Sequence, residues 1–251
     1  MQISLRGLLL CLMLVLSPVS AMQAAELQII AGGGIAAPLK EIVAQFERTT
    51  GHRIVVRYGT TPELTKMATS GGPFDLGVVP VDVFRDAPTR KQFLPEPLLE
   101  VARVGIGVAV LSGAPKPDIS TPEALKQTLL KAQSIASIPA SATGFLLAGI
   151  YERIGIAEEM RAKTKAQPGP AQIIEAVVKG DADIAVFLTN VLTDPRLDMV
   201  GPFPAELQRE VVYQAAVSVS SSEPDAAKAF IAYLMSPAGA AVIRSKGMTP
   251  G

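Results

Sequence analysis

The segment LQIIAGGGIAAPLKEIVAQFERTTG, residues 27–51, constrains the fold more than any other part of the chain. Its first residues, Leu27 to Ala31, form an apolar strand-like run. The apolar residues that follow the three glycines recur at the spacing of one helix face. Pro38 suits the first turn of that helix, and Gly51 suits its C-terminal end. We therefore predict a strand, a sharp turn that glycine permits at low steric cost, and an amphipathic helix. The N–H groups at the start of such a helix favour an anion or another ligand rich in acceptor oxygens.

The same glycines also fit the G-x-G-x-x-A fingerprint of dinucleotide-binding folds, as Gly32, Gly34 and Ala37. That fingerprint expects an acidic residue near the end of the second strand. The second strand-like run, residues 53–58, ends instead in an arginine and a tyrosine. The sequence therefore favours a small-ligand site over a nucleotide-dependent enzyme.

The N-terminal segment, residues 1–25, has the three parts of a secretory signal peptide. Arg6 supplies a positive charge, Gly7 to Leu16 form an apolar core, and a proline-containing break precedes small residues. Cleavage after Ala21 and cleavage after Ala25 both fit the small-residue rule. Because the apolar core is shorter than the ~20 residues of a spanning helix, we expect export to the periplasm without an anchor.

Composition and residue types exclude several classes of function. Lys plus Arg and Asp plus Glu are balanced at 23 each, so neither nucleic-acid binding nor an electrostatic membrane anchor is indicated. The single cysteine, Cys11, lies in the core of the export signal. The single histidine, His52, lies in a predicted turn, and we expect it at the surface. With no G-x-S-x-G pattern and no cluster of metal ligands, the sequence predicts no catalytic residues, no metal and no cofactor.

Strand-like and helical runs alternate along the chain, which is typical of an α/β protein. The two long apolar runs, Arg103 to Leu111 and Val211 to Val219, are each long enough to pass from one lobe to another and together to form a two-segment hinge. We predict loops at Pro80 to Pro97 and at Gly169-Pro170. The other predicted strands are 27–31, 53–58, 76–80, 134–138 and 184–187, and the predicted helices include 62–69, 122–130, 144–154 and 171–179.

Four local motifs, taken with this order of elements, carry a resemblance. They are Ala31 to Gly34, Tyr58-Gly59-Thr60-Thr61, Gly72-Pro73-Phe74-Asp75-Leu76, and residues 230–237 with Lys246-Gly247. In these the chain resembles the type II periplasmic solute-binding proteins of ABC importers, most closely the molybdate-binding proteins, over nearly all of the exported chain.

The resemblance implies a two-lobe α/β fold, the periplasmic binding protein type II fold with two crossover strands, that closes about a hinge. Lobe one would comprise residues 26–106 and 216–251, and lobe two residues 107–215. The implied function is to capture a small polar solute or an oxyanion in the interlobe cleft, as a monomer and without catalysis, and to deliver it to an ABC permease in the inner membrane. A ligand-sensing protein on the same fold and an exported hydrolase are the alternatives.

In the molybdate-binding relatives the oxyanion is held by hydroxyl and backbone N–H donors. By position, Gly34 stands where these relatives have a serine, Leu188 where they have a tyrosine, and Pro170 where they offer a backbone N–H. Each lost donor costs about 1 to 3 kcal/mol, so the sequence predicts weak molybdate binding and leaves another oxyanion or a small polar organic ligand open. The predicted ligand-binding residues are Gly33, Gly34, Thr60, Thr61, Ser141, Thr143, Gly144, Pro170, Leu188 and Thr189.

The threonines and serine of this set also fit helix N-caps, at Thr60-Thr61 and at Ser141 to Gly144. Capping and ligand contact are compatible at a helix N-terminus. For Asp75 and Asp82 we expect roles in turns and in solvent, and for Arg57 a solvated side chain.

Overall fold

The structure is a computed structural model, and it describes residues 24–95 and 97–251. Residues 1–23 of the predicted export signal lie outside the described residues. No single helix of the described part is long and apolar enough to cross a membrane, although one bent pair of helices, Pro224–Leu234 with Pro237–Ser245, meets the length and composition requirement together. The apolar side chains of that pair, such as Phe230 and Ile243, are buried in the protein core.

Strands and helices alternate as the sequence predicts. A single 3₁₀ turn, Gly33–Ile35, joins the first strand to the first helix. The strands are β1 Glu26–Gly32, β2 Arg53–Gly59, β3 Leu76–Pro80, β4 Leu99–Leu111, β5 Ile135–Ser137, β6 Thr164–Ala166, β7 Ile184–Leu188, β8 Leu197–Pro202, β9 Glu210–Val217 and β10 Thr249–Pro250. The helices are α1 Ala36–Thr50, α2 Thr61–Ser70, α3 Val81–Arg85, α4 Ala87–Arg90, α5 Pro122–Lys131, α6 Ala142–Arg153, α7 Ala157–Lys163, α8 Pro170–Val178, α9 Pro224–Leu234 and α10 Pro237–Ser245.

The strands of the described residues form one sheet in the order β2-β1-β3-β9-β4-β7-β5-β6, and β8 and β10 also pair with β4. The long strand β4 is shared by the two halves of this sheet. Its first part, Leu99 to Gly105, pairs with β9, and its second part, Ile106 to Val110, pairs with β7. The chain therefore crosses from one half of the sheet to the other within β4.

The return crossing lies earlier in the chain than the predicted run, Val211 to Val219. β8 pairs with the second part of β4, whereas β9 pairs with the first part and with β3. The chain therefore crosses back between Pro202 and Glu210. The side chain of Gln208 fixes this point because its amide accepts from the N–H of Ile106 and donates to the carbonyl of the same residue, both at 2.9 Å.

Two of the three buried hydrophobic clusters each belong to a single half of the sheet, on either side of the point in β4 where its partner changes from β9 to β7. One contains Ile106, Leu125 and Leu129 and draws only on residues between 106 and 207. Another contains Phe74 and Phe93 and belongs to the half formed by β1, β3 and β9. Since each half has apolar packing of its own, the fold consists of two lobes joined through β4 and the return segment.

Several local predictions are wrong. The predicted loop at Pro80 to Pro97 contains α3 and α4, and Asp86 caps the start of α4 because its carboxylate accepts from the N–H of Thr89. Asp75, expected in a turn facing solvent, is buried and accepts from the N–H of Gln28 at 2.8 Å and from residues before α9. At Gly169-Pro170 the second residue already begins α8 rather than continuing a loop.

His52, expected at the surface, is only 5% exposed. Its Nδ1 accepts from the N–H of Ala25 at 2.9 Å, and its ring stacks on Phe46. The carbonyl of Ala25 accepts from the N–H of Arg53, also at 2.9 Å. The histidine is therefore buried by the residue that directly precedes β1, a contact that no local pattern indicates.

Candidate functional site

A cavity of about 270 Å³ lies between the two lobes, where the starts of several helices face one another. The first lobe contributes the glycine turn before α1 and the start of α2. The second lobe contributes the starts of α6 and α8 and the end of β7. Besides the predicted residues, the walls include Gly32, Tyr58, Gly59, Glu63, Pro80, Ile138, Ala142, Pro168, Gly169, Phe187 and Tyr213.

All the predicted ligand-binding residues except Gly144 and Thr189 line this cavity. Gly144 lies behind the wall, where its N–H donates to the hydroxyl of Ser141 at 3.0 Å. Thr189 lies at the hinge, where its N–H donates to the carbonyl of Gly105 at 3.0 Å. A ligand role for the residues that do line the cavity stays a prediction.

At the start of α2, one threonine caps the helix and the next has an unused hydroxyl. The Glu63 carboxylate accepts from the N–H of Thr60 at 2.8 Å and from its hydroxyl at 2.9 Å, in a capping box. The hydroxyl of Thr61 is buried and has no hydrogen-bond partner in the described part of the chain. Its N–H likewise has no acceptor there. A buried polar atom without a partner is rare in a folded protein. The hydroxyl of Thr61 is therefore a candidate hydrogen-bond donor to a ligand.

The start of α6 repeats this arrangement from the opposite lobe. The hydroxyl of Ser141 donates to the carbonyl of Ile138 at 2.7 Å and accepts from the N–H of Gly144, so it is committed to the cap. The N–H groups of Ala142 and Thr143 have no acceptor within residues 24–95 and 97–251. The side chain of Thr143 is buried against the cavity. This helix start therefore directs unpaired donors into the cavity, as the first lobe does.

The glycines of the turn before α1 have a different role from the one predicted. None of Gly32, Gly33 and Gly34 has a positive φ, so the turn does not require glycine for its backbone conformation. A Cβ on Gly33 would lie 3.3 Å from Cδ of Pro170, across the cleft. A Cβ on Gly34 would lie within about 2.4 Å of the Leu188 side chain. The glycines therefore allow close approach of the two lobes.

A hydrogen bond links the lobes beside this turn. Nδ2 of Asn190, just after β7, donates to the carbonyl of Gly34 at 2.9 Å, and both groups are buried. The Oδ1 atom of Asn190 is buried without a partner in the described residues. The lobes are thus in direct contact at the back of the cavity.

The cavity holds few charges. Glu63 is the only charged residue among its lining residues in the described part of the chain, and its carboxylate is engaged by Thr60. Arg57, predicted to be solvated, instead donates to the carbonyls of Gly71 and Pro73, outside the cavity. In the part of the chain that the structure describes, no group of three His, Cys, Asp or Glu side chains could hold a metal ion. An anion here would be bound by neutral donors and by the positive ends of helices.

Two tyrosines complete the wall, and both were missed by the sequence reasoning. Tyr58 lies at the rim, and partial burial raises the pKa of its hydroxyl. Tyr213 comes from the middle of β9, and burial raises the pKa of its hydroxyl more strongly. No sequence signal points to Tyr213. Glu63, by contrast, follows Thr60 at the spacing of a capping box, so its place at this helix start could have been predicted from the sequence.

The model of the family described as bacterial extracellular solute-binding protein matches residues 27–249. An aconitate isomerase from Pseudomonas sp. is 30% identical over 247 residues, 95% of this chain and 94% of that protein. The molybdate-binding protein ModA of Azotobacter vinelandii is 27% identical over 235 residues, 90% of this chain and 91% of that one. The solved structure of the periplasmic molybdate-binding protein of Azotobacter vinelandii superimposes with a TM-score of 0.74 at 18% identity, over 89% of this chain and 98% of that chain. The predicted fold class is confirmed.

Proposed function

We propose that this chain, which belongs to the family of bacterial extracellular solute-binding proteins, binds a small organic acid between its lobes and delivers it to an ABC permease. The observation that carries the proposal is the set of unpaired donors at facing helix starts, above all the buried hydroxyl of Thr61. Carboxylate oxygens are the acceptors that such donors favour. Because each donor is neutral, binding needs no cationic side chain.

The apolar part of the wall favours an organic acid over a tetrahedral oxyanion. Ile138, Phe187 and Leu188 line the cavity beside the donors and offer contact surface to a carbon skeleton. A volume of about 270 Å³ lies just below the range of ~300 to 1,000 Å³ of typical small-molecule pockets. The ligand would thus be an acid of a few carbons, held by its carboxylate at the helix starts and by its carbon chain against these side chains.

The remaining parts of the proposal concern location and assembly. A cleavable signal would place the protein in the periplasm, where it would act as a monomer. The proposed lobe boundaries are residues 26–106 with 216–251 and residues 107–215. Strand pairing favours a second crossing between Pro202 and Glu210, slightly before the second boundary.

A thermal-shift screen tests the function. Molybdate, tungstate, sulfate, citrate, cis- and trans-aconitate, amines and sugars would each be added to the purified protein. Ligand at 100 times its Kd stabilises the folded state by about 2.7 kcal/mol, which corresponds to a rise in Tm of about 5 to 11 °C in a chain of this size. We expect such a rise with an organic acid and a smaller one with molybdate. A rise only with amines or sugars, or with none of the compounds, would refute the proposal.

An isomerase of a small organic acid is the second candidate, favoured by the relative named aconitate isomerase. Isomerisation by proton transfer needs a base that is free to accept a proton. Glu63 already accepts two hydrogen bonds from Thr60, and burial raises the pKa of Tyr213 so that its hydroxyl stays protonated at neutral pH. The site therefore supports binding better than proton abstraction. Incubation with cis- and trans-aconitate followed by proton NMR decides between the two, because interconversion would establish an enzyme.

A further inference from the structure

We infer that the hydroxyl of Tyr213 is a specificity-determining donor to the bound anion and that it occupies the space where residue 34 would otherwise place a side chain. This inference deepens the proposed function and rests on it. Tyr213 comes from β9, far from the glycine turn in sequence, and no motif assigns it to the site.

The first argument is the fit between the tyrosine and the glycine turn. A Cβ on Gly34 would lie 2.3 Å from the Tyr213 hydroxyl oxygen, and a Cβ on Gly32 would lie 2.8 Å from Cε1 of the same ring. Real Cβ atoms do not approach other atoms so closely. Tyr213 therefore fills the space that side chains at positions 32 and 34 would occupy.

The second argument is that the hydroxyl has no other use. Tyr213 is 2% exposed, it lines the cavity, and its hydroxyl makes no hydrogen bond to any other residue that the structure describes. Unlike the hydroxyl of Thr61, that of Tyr213 keeps access to the cavity, so it can donate to a ligand oxygen there. The raised pKa that burial gives this phenol keeps it a donor at neutral pH.

The third argument is that the tyrosine is held in place. In the sheet Tyr213 lies opposite Pro80 of β3 on one side and opposite Ala102 of β4 on the other. A residue in the middle of a sheet is positioned more firmly than one on a loop. Because it pairs with the first part of β4, the donor belongs to the sheet of the first lobe.

The binding test uses Tyr213→Phe, which removes only the hydroxyl. Affinities for cis-aconitate and for molybdate would be measured by calorimetry on the full exported chain. Removing a hydrogen bond from a neutral donor to an anion lowers the affinity by about 10- to 150-fold. We expect a loss in this range for each anion that the unmodified protein binds. Tyr151→Phe is the matched control, since Tyr151 is also a buried tyrosine but lies outside the cavity between the lobes, and its affinity should be unchanged.

A second measurement tests the geometry without a ligand. Gly34→Ala would be made in the unmodified protein and in Tyr213→Phe, and the four Tm values would form a double-mutant cycle. Because the phenylalanine lacks the atom nearest to the new methyl group, Gly34→Ala should lower the Tm less in the variant background. Equal losses in both backgrounds would refute the placement of the hydroxyl.

The outcomes separate the inference from the function on which it rests. If the unmodified protein binds an anion and Tyr213→Phe binds it equally well, the inference is wrong and the proposed function stands. If the unmodified protein binds neither cis-aconitate nor molybdate, the donor role is refuted together with the function for those anions. The cycle at Gly34 still reports in that case whether the hydroxyl fills the turn.

Discussion

Replacement of Thr61 by valine should have opposite effects on the unliganded protein and on its complex. The substitution exchanges the hydroxyl for a methyl group and keeps the branched shape of the side chain. In the unliganded protein the hydroxyl is buried and has no partner in the described residues. In the complex we propose that it donates to the anion. Valine should therefore stabilise the first state and weaken the second.

The magnitudes follow from the two environments of the hydroxyl. A buried polar group without a partner costs about 1 to 3 kcal/mol, so Thr61→Val should raise the free energy of unfolding by at least about 1 kcal/mol. For a chain of this length that is a rise in Tm of about 2 to 4 °C. Loss of a hydrogen bond to a charged acceptor costs about 1.5 to 3 kcal/mol, which lowers affinity by about 10- to 150-fold.

Thr89→Val is the matched control. Thr89 is also buried, even more deeply than Thr61, but it lies in α4, outside the cavity, and its hydroxyl donates to the carboxylate of Asp86. This variant should lose stability and keep its affinity. Thermal unfolding without ligand and calorimetry with cis-aconitate and molybdate measure both quantities. A lower Tm for Thr61→Val, or unchanged affinity for an anion that the unmodified protein binds, would refute the reasoning.

Three further predictions concern closure, pH and processing. Asn190→Ala should lower the free energy of unfolding by about 1 to 3 kcal/mol, because the buried carbonyl of Gly34 loses its donor. It should also increase the radius of gyration of the unliganded protein in small-angle scattering. An unchanged radius would show that this hydrogen bond does not hold the lobes together. Burial raises the pKa of Tyr151 and of Tyr213 above the ordinary value of 10.0. Their stabilising contribution is therefore complete below pH 10 and declines as the pH rises towards the folded-state pKa, so ultraviolet titration should show both phenols ionising only at or beyond alkaline unfolding. The mature N-terminus should be Met22, since cleavage after Ala25 would remove Ala25 and its hydrogen bonds to His52 and Arg53. The intact mass of the exported protein measures this. A mature chain that begins at residue 26 would refute the prediction.

Features set by neighbouring residues could be predicted from the sequence. Ser141 caps α6 as predicted, and Thr121 caps α5 in the same way, each through the N–H of the residue three positions later. The end of α1 at Gly51, with its positive φ, follows from the same local chemistry. These signals succeed because the interactions that stabilise them lie within one helical turn.

Features set by distant residues could not be predicted in this way. His52 is buried by Ala25, and Asp75 is buried by the segment before α9, so neither environment is visible in the residues beside them. Tyr213 reaches the cavity only because β9 inserts between β3 and β4. A single sequence gives the strand but not its neighbours, and the neighbours decide which side chains meet.

The departures that the family resemblance implies at Gly34 and Leu188 lie in one packed contact, so we expect one change in packing rather than two separate losses of a donor. A side chain at position 34 would collide with both Leu188 and Tyr213, so the glycine, the leucine and the tyrosine specify one another. Costs of residues in mutual contact do not add, and the Tyr213 hydroxyl lies where a side chain at position 34 would begin. Summing separate losses at Gly34 and Leu188 therefore overestimates how much molybdate binding is weakened, although we still expect it to be weak. What remains is the missing N–H at Pro170, whose ring lies against Gly33 and adds apolar surface to the same wall. A wall in which apolar side chains lie beside neutral donors is the one that we expect for an organic acid rather than for a tetrahedral oxyanion.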